Sequence, residues 1–423
     1  MSGNSPLKNY GWQIGKALIS ILVVITYSRF LGADGRGQMS IYLLYLQFIL
    51  MLGELLAGSA MANWLVKYKP GQILPWMVLY LGAVICICGV LMGNFFEIKS
   101  KILFPLLIQG MGLAILNVQF NIYQSRGWIL RRNKLQLMLE ITKLLTLLIV
   151  VFLLPLNVLE AKVQAMLMVL AFVTLFFLGI SIFKTLNIWG QAFEVEQPPS
   201  GIFFEGLWAQ LGHVILFFIN KLPLWLIAKY LGNTEAGIFA NALLIADTIW
   251  IFSGSFGTVI HSRVIRSDRK LYHERLLRRY IDFSFLGTLT MCFAMVLIPN
   301  IVFVGIFGAN FVELKLHAIW LIPGILFMGI SASVGNYLHA VNRFKTIFMN
   351  HLIALLAMLV FFYGAFLTGF SVAKVAFGMS LGYFILMLLH LKSTNWLFKK
   401  DFKLKINILL IRRLFLIKIR NKN

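Results

Sequence analysis

Acidic residues are scarce in this 423-residue chain: 15 Asp and Glu stand against 38 Lys and Arg, and all charged residues together make up only 13%. Soluble globular chains carry about 25%, so a water-facing surface of the usual kind is excluded. Cysteine is scarcer still. Cys86, Cys88 and Cys292 all fall inside apolar runs, where they act as small hydrophobes and offer no disulfide or zinc framework. No Walker phosphate loop, HExxH helix or nucleophile-elbow pentapeptide occurs, and no cofactor is expected. Long polar loops are missing too, so no connection is large enough to be a domain. The opening "MSGNSPLKNYGWQIGKALIS" has no small-residue cleavage site before its apolar run, so the first span is expected to be retained.

What is present is apolar. Hydrophobic residues are 60% of the chain, mean hydropathy is +0.85, and the apolar runs are about 18 to 27 residues long, which suits helices across a core roughly 30 Å thick. The alternating ten-residue pattern of a membrane barrel is not seen. The predicted fold class is therefore an all-α polytopic membrane protein with about twelve transmembrane helices. The first six are expected at 10–31, 38–62, 72–96, 102–125, 135–156 and 163–184, the second six at 205–230, 237–262, 280–306, 314–340, 346–370 and 372–393.

Basic residues orient these spans, because Lys and Arg resist translocation. With the N-terminus inside, 27 of the 38 fall in inner segments, eight in outer loops, and Lys16, Lys143 and Lys221 within spans. Both termini are expected in the cytoplasm. The net charge of +23 largely reflects this bias, and no nucleic-acid partner is needed to explain it. The tail, residues 394–423, alternates Lys and Arg with short apolar stretches and reads as a segment lying on anionic lipid or as a topogenic extension.

The chain also repeats itself. "SRFLGADGRGQ" at 28–38 is echoed by "AKYLGNTEAGI", and a shift of 200 aligns Arg29 with Lys229, Leu31 with Leu231, Gly32 with Gly232, Gly37 with Gly237 and Leu43 with Leu243. Six predicted spans separate the copies, an even number, so both enter the membrane in the same direction. This predicts a parallel repeat: a six-helix lobe over 1–186, a cytoplasmic linker over 187–204 and a second six-helix lobe over 205–393. The paired glycines are expected to allow a tight turn between helices at equivalent points of the two lobes, with Arg29 and Lys229 snorkelling to the outer interface. Two such lobes can rock about a central site, which favours transport over covalent chemistry.

The stretch "RFLGADGRGQMSIYLLYLQFILMLGELLAGSAMANWL", a basic residue, Leu-Gly, a short turn, Gly and a long apolar helix, resembles the polysaccharide transport family of the multidrug, oligosaccharidyl-lipid and polysaccharide flippase superfamily, in particular its Wzx O-antigen flippases. Its echo at 229–262 is weaker, with "NTEAG" where that family more often has Pro or Glu before an aromatic. The resemblance implies a bacterial inner-membrane flippase that moves an undecaprenyl-diphosphate-linked oligosaccharide to the outer leaflet for O-antigen or lipopolysaccharide assembly. It implies as partners the lipid-linked glycan, membrane lipids, and the polymerase and chain-length regulator of the same pathway.

Charge within the bilayer costs about 2.5 to 3.5 kcal/mol on insertion scales, so each intramembrane ionisable group needs a reason. Lys221, flanked by Asn220 and Pro223, and His213 two turns earlier are candidates to meet a diphosphate and its sugars, with Lys16 a further cavity candidate. Alternatively Lys221 pairs with Asp247 or Glu54 and His213 is a packing residue. Asp247 and Glu54, at different depths of the two repeats, are candidates for proton coupling or for a buried ion pair. Glu140 and Lys143, three apart, are expected to neutralise each other. Arg263 and Arg266, in the basic stretch 263–279, are candidates for headgroup recruitment as well as topology determinants. An exporter of small cationic compounds should present an acidic lumen, which this set does not. A membrane glycan polymerase or acyltransferase should carry a larger outer loop. Export of a diphosphate needs no nucleotide, since moving negative charge out of a negative interior is favourable by about 2.3 kcal/mol per charge per 100 mV.

Overall fold

The computed structural model describes residues 6–57, 61, 65, 68–94, 100–153, 158–190, 207–264 and 269–394. Among them every regular element is helical, as expected for a chain whose backbone polar groups must be satisfied without water. In chain order the elements are α1 (Pro6–Ala57), α2 (Pro70–Asn94), α3 (Ser100–Ser125), α4 (Ile129–Leu153), α5 (Leu159–Phe183), the short α6 (Leu186–Gly190), α7 (Leu207–Leu231), α8 (Asn233–Val264), α9 (Lys270–Leu297), α10 (Asn300–Phe307), α11 (Leu314–Trp320), α12 (Ile322–Ala340), α13 (Phe344–Leu367) and α14 (Val372–Ser393).

Ten of the described helices are long and apolar enough to cross a membrane, eleven if the bent pair ending in α11 and α12 is one span. A count of twelve further requires α1 to cross twice, and at 52 residues its rise of about 78 Å is long enough to do so. The predicted turn at 32–37 shrinks to one residue: Gly32, with φ 69° and ψ −172°, is the non-helical point in α1. Gly232, with φ 93°, breaks the chain between α7 and α8 at the equivalent place. Both adopt a left-handed φ that a side chain disfavours. The predicted span 280–306 is displaced: its helix begins at Lys270 and ends at Leu297, just before Pro299, which leads into α10. The predicted span 314–340 is broken with a 52° bend, where Pro323, lacking an N–H, opens α12.

Buried apolar side chains form several clusters. One gathers Tyr42, Ile49, Cys88, Leu147 and Met166; another gathers Ile219, Phe239, Phe311, Met358 and Tyr383 and takes in Ala33 from α1. Outward-facing side chains such as Phe152, 80% exposed, and Ile301, 78% exposed, belong against acyl chains rather than water. Of the predicted linker, 187–190 falls within α6 and 191–204 lies outside the described residues, as do Arg266 and residues 395–423 of the tail.

Candidate functional site

The halves meet most closely where α1 crosses α8. A Cβ added to Gly37 would overlap the carbonyl oxygen of Asn233, and one added to Gly237 would overlap that of Ala33. Asn233 is the counterpart of Ala33 under the 200-residue shift, so the contact is reciprocal. Gly37 and Gly237 thus lie inside helices rather than in the turns expected of them, and they are glycine because backbone packs on backbone there. Beside this crossing Arg36, 5% exposed, donates from Nε to Asn241 Oδ1 at 2.9 Å and from Nη1 to Ser40 Oγ at 2.8 Å. Asn241 in turn donates to Ser28 Oγ at 2.8 Å. Arg29 does not simply snorkel. Its Nε donates to the Ile306 carbonyl at 2.8 Å and its Nη2 to that of Gly305, satisfying carbonyls at the end of α10 that have no partner within the helix. Lys229 lies over the Trp225 ring at 4.8 Å.

Away from this crossing, helices of both halves line an open cavity of 570 Å³. Helix α1 contributes Gln47 and Glu54, α3 contributes Asn117, Asn121 and Gln124, α4 contributes Arg132, and α7 contributes Gln210 and His213, with Phe120 and Phe217 among the apolar walls. Amides alternate with apolar walls, and the spacings of four and three residues from Asn117 to Gln124 place one amide stripe on a face of α3. Asn117 Nδ2 donates to Glu54 Oε1 at 3.3 Å. Arg132 donates from Nη1 to Gln124 Oε1 and lies 6.0 Å from the centre of the Phe120 ring. Its Nε is buried without a hydrogen-bond partner among the described residues.

The structure divides the residues that the sequence nominated. His213 and Glu54 line this cavity; Lys221, Asn220, Asp247 and Lys16 do not. Lys16 lies within electrostatic reach of Glu140, Lys143 and Arg132, and Lys143 and Glu140 form the expected ion pair at 2.9 Å. Lys221 is the charge that acts on Asp247, although among the described residues no ion pair within 4.0 Å joins them. Asn220 is engaged by its own half: Tyr383 Oη donates to its Oδ1 at 2.6 Å. Tyr383 also packs edge-on against Trp250 with ring centres 5.5 Å apart. Arg263 is exposed, with its guanidinium 6.0 Å from the centre of the Tyr280 ring.

Sequence reading missed Arg132 by counting it only as a topology signal, and it missed the amide stripe of α3, which was legible as polar residues at helical spacing. A histidine cluster was not legible. His213 stacks on His339 at 5.4 Å, His351 donates from Nδ1 to the Gly212 carbonyl at 2.7 Å, and His351 lies 5.6 Å from His390. These residues come from four different helices.

No protein-family model matches the sequence, and no curated protein does. Solved structures do. The chain is similar to the lipid II flippase MurJ in an inward closed conformation, with TM-score 0.69 and 14% identity over 92% of this chain and 88% of that one. It is similar to an inward-facing multidrug resistance MATE family transporter of the MOP superfamily, with TM-score 0.66 and 14% identity over 91% and 96%. A MOP superfamily transporter from Pyrococcus furiosus, described as having a binding pocket of reversed polarity, matches with TM-score 0.63 and 14% identity over 92% and 93%. At such identity the likeness is one of architecture: the chain has the fold of MOP-superfamily transporters.

Proposed function

We propose that this protein is a flippase that carries an undecaprenyl-diphosphate-linked oligosaccharide across a bacterial inner membrane, exposing the cavity between its halves to one leaflet and then the other. The observation that carries the reading is the cavity lining. Amides of Gln47, Asn117, Asn121, Gln124 and Gln210 offer the paired donors and acceptors that sugar hydroxyls require. Arg132 supplies the planar fork that suits a diphosphate. The lipid tail would remain among the acyl chains while the polar head occupies the cavity. In this reading the Gly37–Gly237 crossing closes the outer end, the cavity opens inward, both termini are cytoplasmic, and the polymerase and chain-length regulator of the pathway receive the product. A second reading, export of a small cation, draws on Glu54, the carboxylate among the cavity residues.

Deleting the gene should abolish surface glycan and leave lipid-linked oligosaccharide in the inner leaflet. Plasmid-borne wild type and Arg132→Lys should restore surface glycan fully and in part. Arg132→Glu should restore none while inserting at normal levels. Normal surface glycan in the deletion strain overturns the flippase reading, and full rescue by Arg132→Glu overturns the role of the cavity. Sensitivity of the deletion strain to cationic compounds, with glycan intact, would favour the second reading.

A further inference from the structure

Outside the cavity, three side chains converge near the start of α8: Glu235 in its first turn, and Glu313 and His317, four apart, where α11 begins. One ligand atom from each lies within 4.8 Å of the others. His317 Nε2 is 3.6 Å from Glu235 Oε2 and 3.8 Å from Glu313 Oε2. These separations are too long for hydrogen bonds. They are close to the spacing of about 3.4 Å between ligand atoms around a tetrahedral ion with bonds near 2.1 Å.

The imidazole is the second, independent observation. His317 is 1% exposed and stacks on Trp320 with ring centres 5.3 Å apart, so its orientation is held. Its Nδ1 is buried with no hydrogen-bond partner among the described residues. An ion at Nε2 requires the Nδ1–H tautomer, which turns the Nε2 lone pair toward the two carboxylates; a proton on Nε2 instead lies beyond hydrogen-bonding range of both. The two carboxylates also face each other, and among the described residues no Lys or Arg pairs with either within 4.0 Å. A chain with only 15 acidic residues has placed two of them together around an aimed imidazole.

The geometry points to a divalent transition-metal site formed by Glu235, Glu313 and His317, with zinc as the fitting ion. One nitrogen and two carboxylate oxygens suit first-row ions such as Zn²⁺ better than Ca²⁺ or Mg²⁺, which take all-oxygen shells. The two acids balance the ion's charge, the aimed lone pair gains a ligand, and the exposed side of Glu313 leaves a fourth position for water. The ion would staple α8 to α11 two residues from Gly237, beside the crossing of the two halves. This site is independent of what the cavity carries.

The test uses the full-length protein in detergent, stripped with chelator and dialysed against zinc up to about 0.1 mM, with bound metal counted by mass spectrometry. Wild type should hold one more equivalent than Glu313→Gln and than Glu235→Gln. The site's affinity should fall at least about tenfold in either variant, an effect that even partners behind the ligands command. Cobalt in place of zinc should give a four-coordinate visible spectrum in wild type that both variants lose, and calcium should not compete. Glu313 is exposed, so its amide variant keeps the fold testable through an unchanged melting temperature without metal. Equal zinc content in wild type and variants, through binding at the other histidines or through no binding at all, overturns the proposal.

Discussion

At the crossing of α1 and α8 the two halves of the protein touch backbone to backbone; farther along α1 they part around a cavity lined with amides. The first region works by having no side chain at Gly37 and Gly237, so two helices approach until carbonyl oxygens take the space of a Cβ. The second works by having polar side chains where the neighbouring helix faces are apolar. Tight packing at one end and a polar lining at the other are thus separate demands on α1, met by different residues with different partners: α8 at the crossing, and α3, α4 and α7 around the cavity.

The largest expected effect breaks the tight end. Gly37→Leu puts a side chain into the Asn233 carbonyl, and overpacking of this kind costs about 1 to 3 kcal/mol. If the halves separate there during transport, that cost shifts the population toward the separated state by roughly 5- to 150-fold. Spin labels at Val158 and Thr234, both exposed, should report a longer distance; an unchanged distance in a normally folded variant refutes the crossing as a closure. Next comes Asn241→Leu, which removes the acceptor of Arg36 Nε and strands a charged donor. Hydrogen bonds to charged groups are worth about 1.5 to 3 kcal/mol, so thermal stability should fall, and Ser28→Ala, which removes only the neutral end of the chain, should cost less. Equal losses would show that the charge is not what the network serves. The smallest effect belongs to the wet end: His213→Ala removes a stacked pair worth about 0.5 to 1.5 kcal/mol and should lower stability slightly while leaving insertion and surface glycan intact. Complete loss of glycan would promote His213 from wall to ligand site.

How legible all this was depended on whether a feature is local. Gly32 and Gly232 could be placed at breaks because a repeated Leu-Gly before an apolar run marks a local backbone need, and both take a positive φ. Glu140 and Lys143 could be paired because three residues on a helix are neighbours. Gly37 and Gly237 were misassigned to turns because their role is created by a contact across 200 residues of chain, which no local pattern carries. Lys221 was conspicuous as a cation flanked by Asn and Pro, yet it acts on Asp247 and its neighbour Asn220 is held by Tyr383, both within its own half. Arg132 was hidden in a basic segment whose charge already had an explanation. The break at Pro323 was available from the proline alone, whereas the 52° angle depends on what α11 and α12 pack against.

The reciprocal seat of Ala33 on Gly237 and Asn233 on Gly37 bears on leakage. Each half supplies one tooth and one socket, so a substitution that displaces one contact is expected to disturb its twin. In the flippase reading proposed above, such a clasp would part at both contacts together and leave no half-open slit for ions.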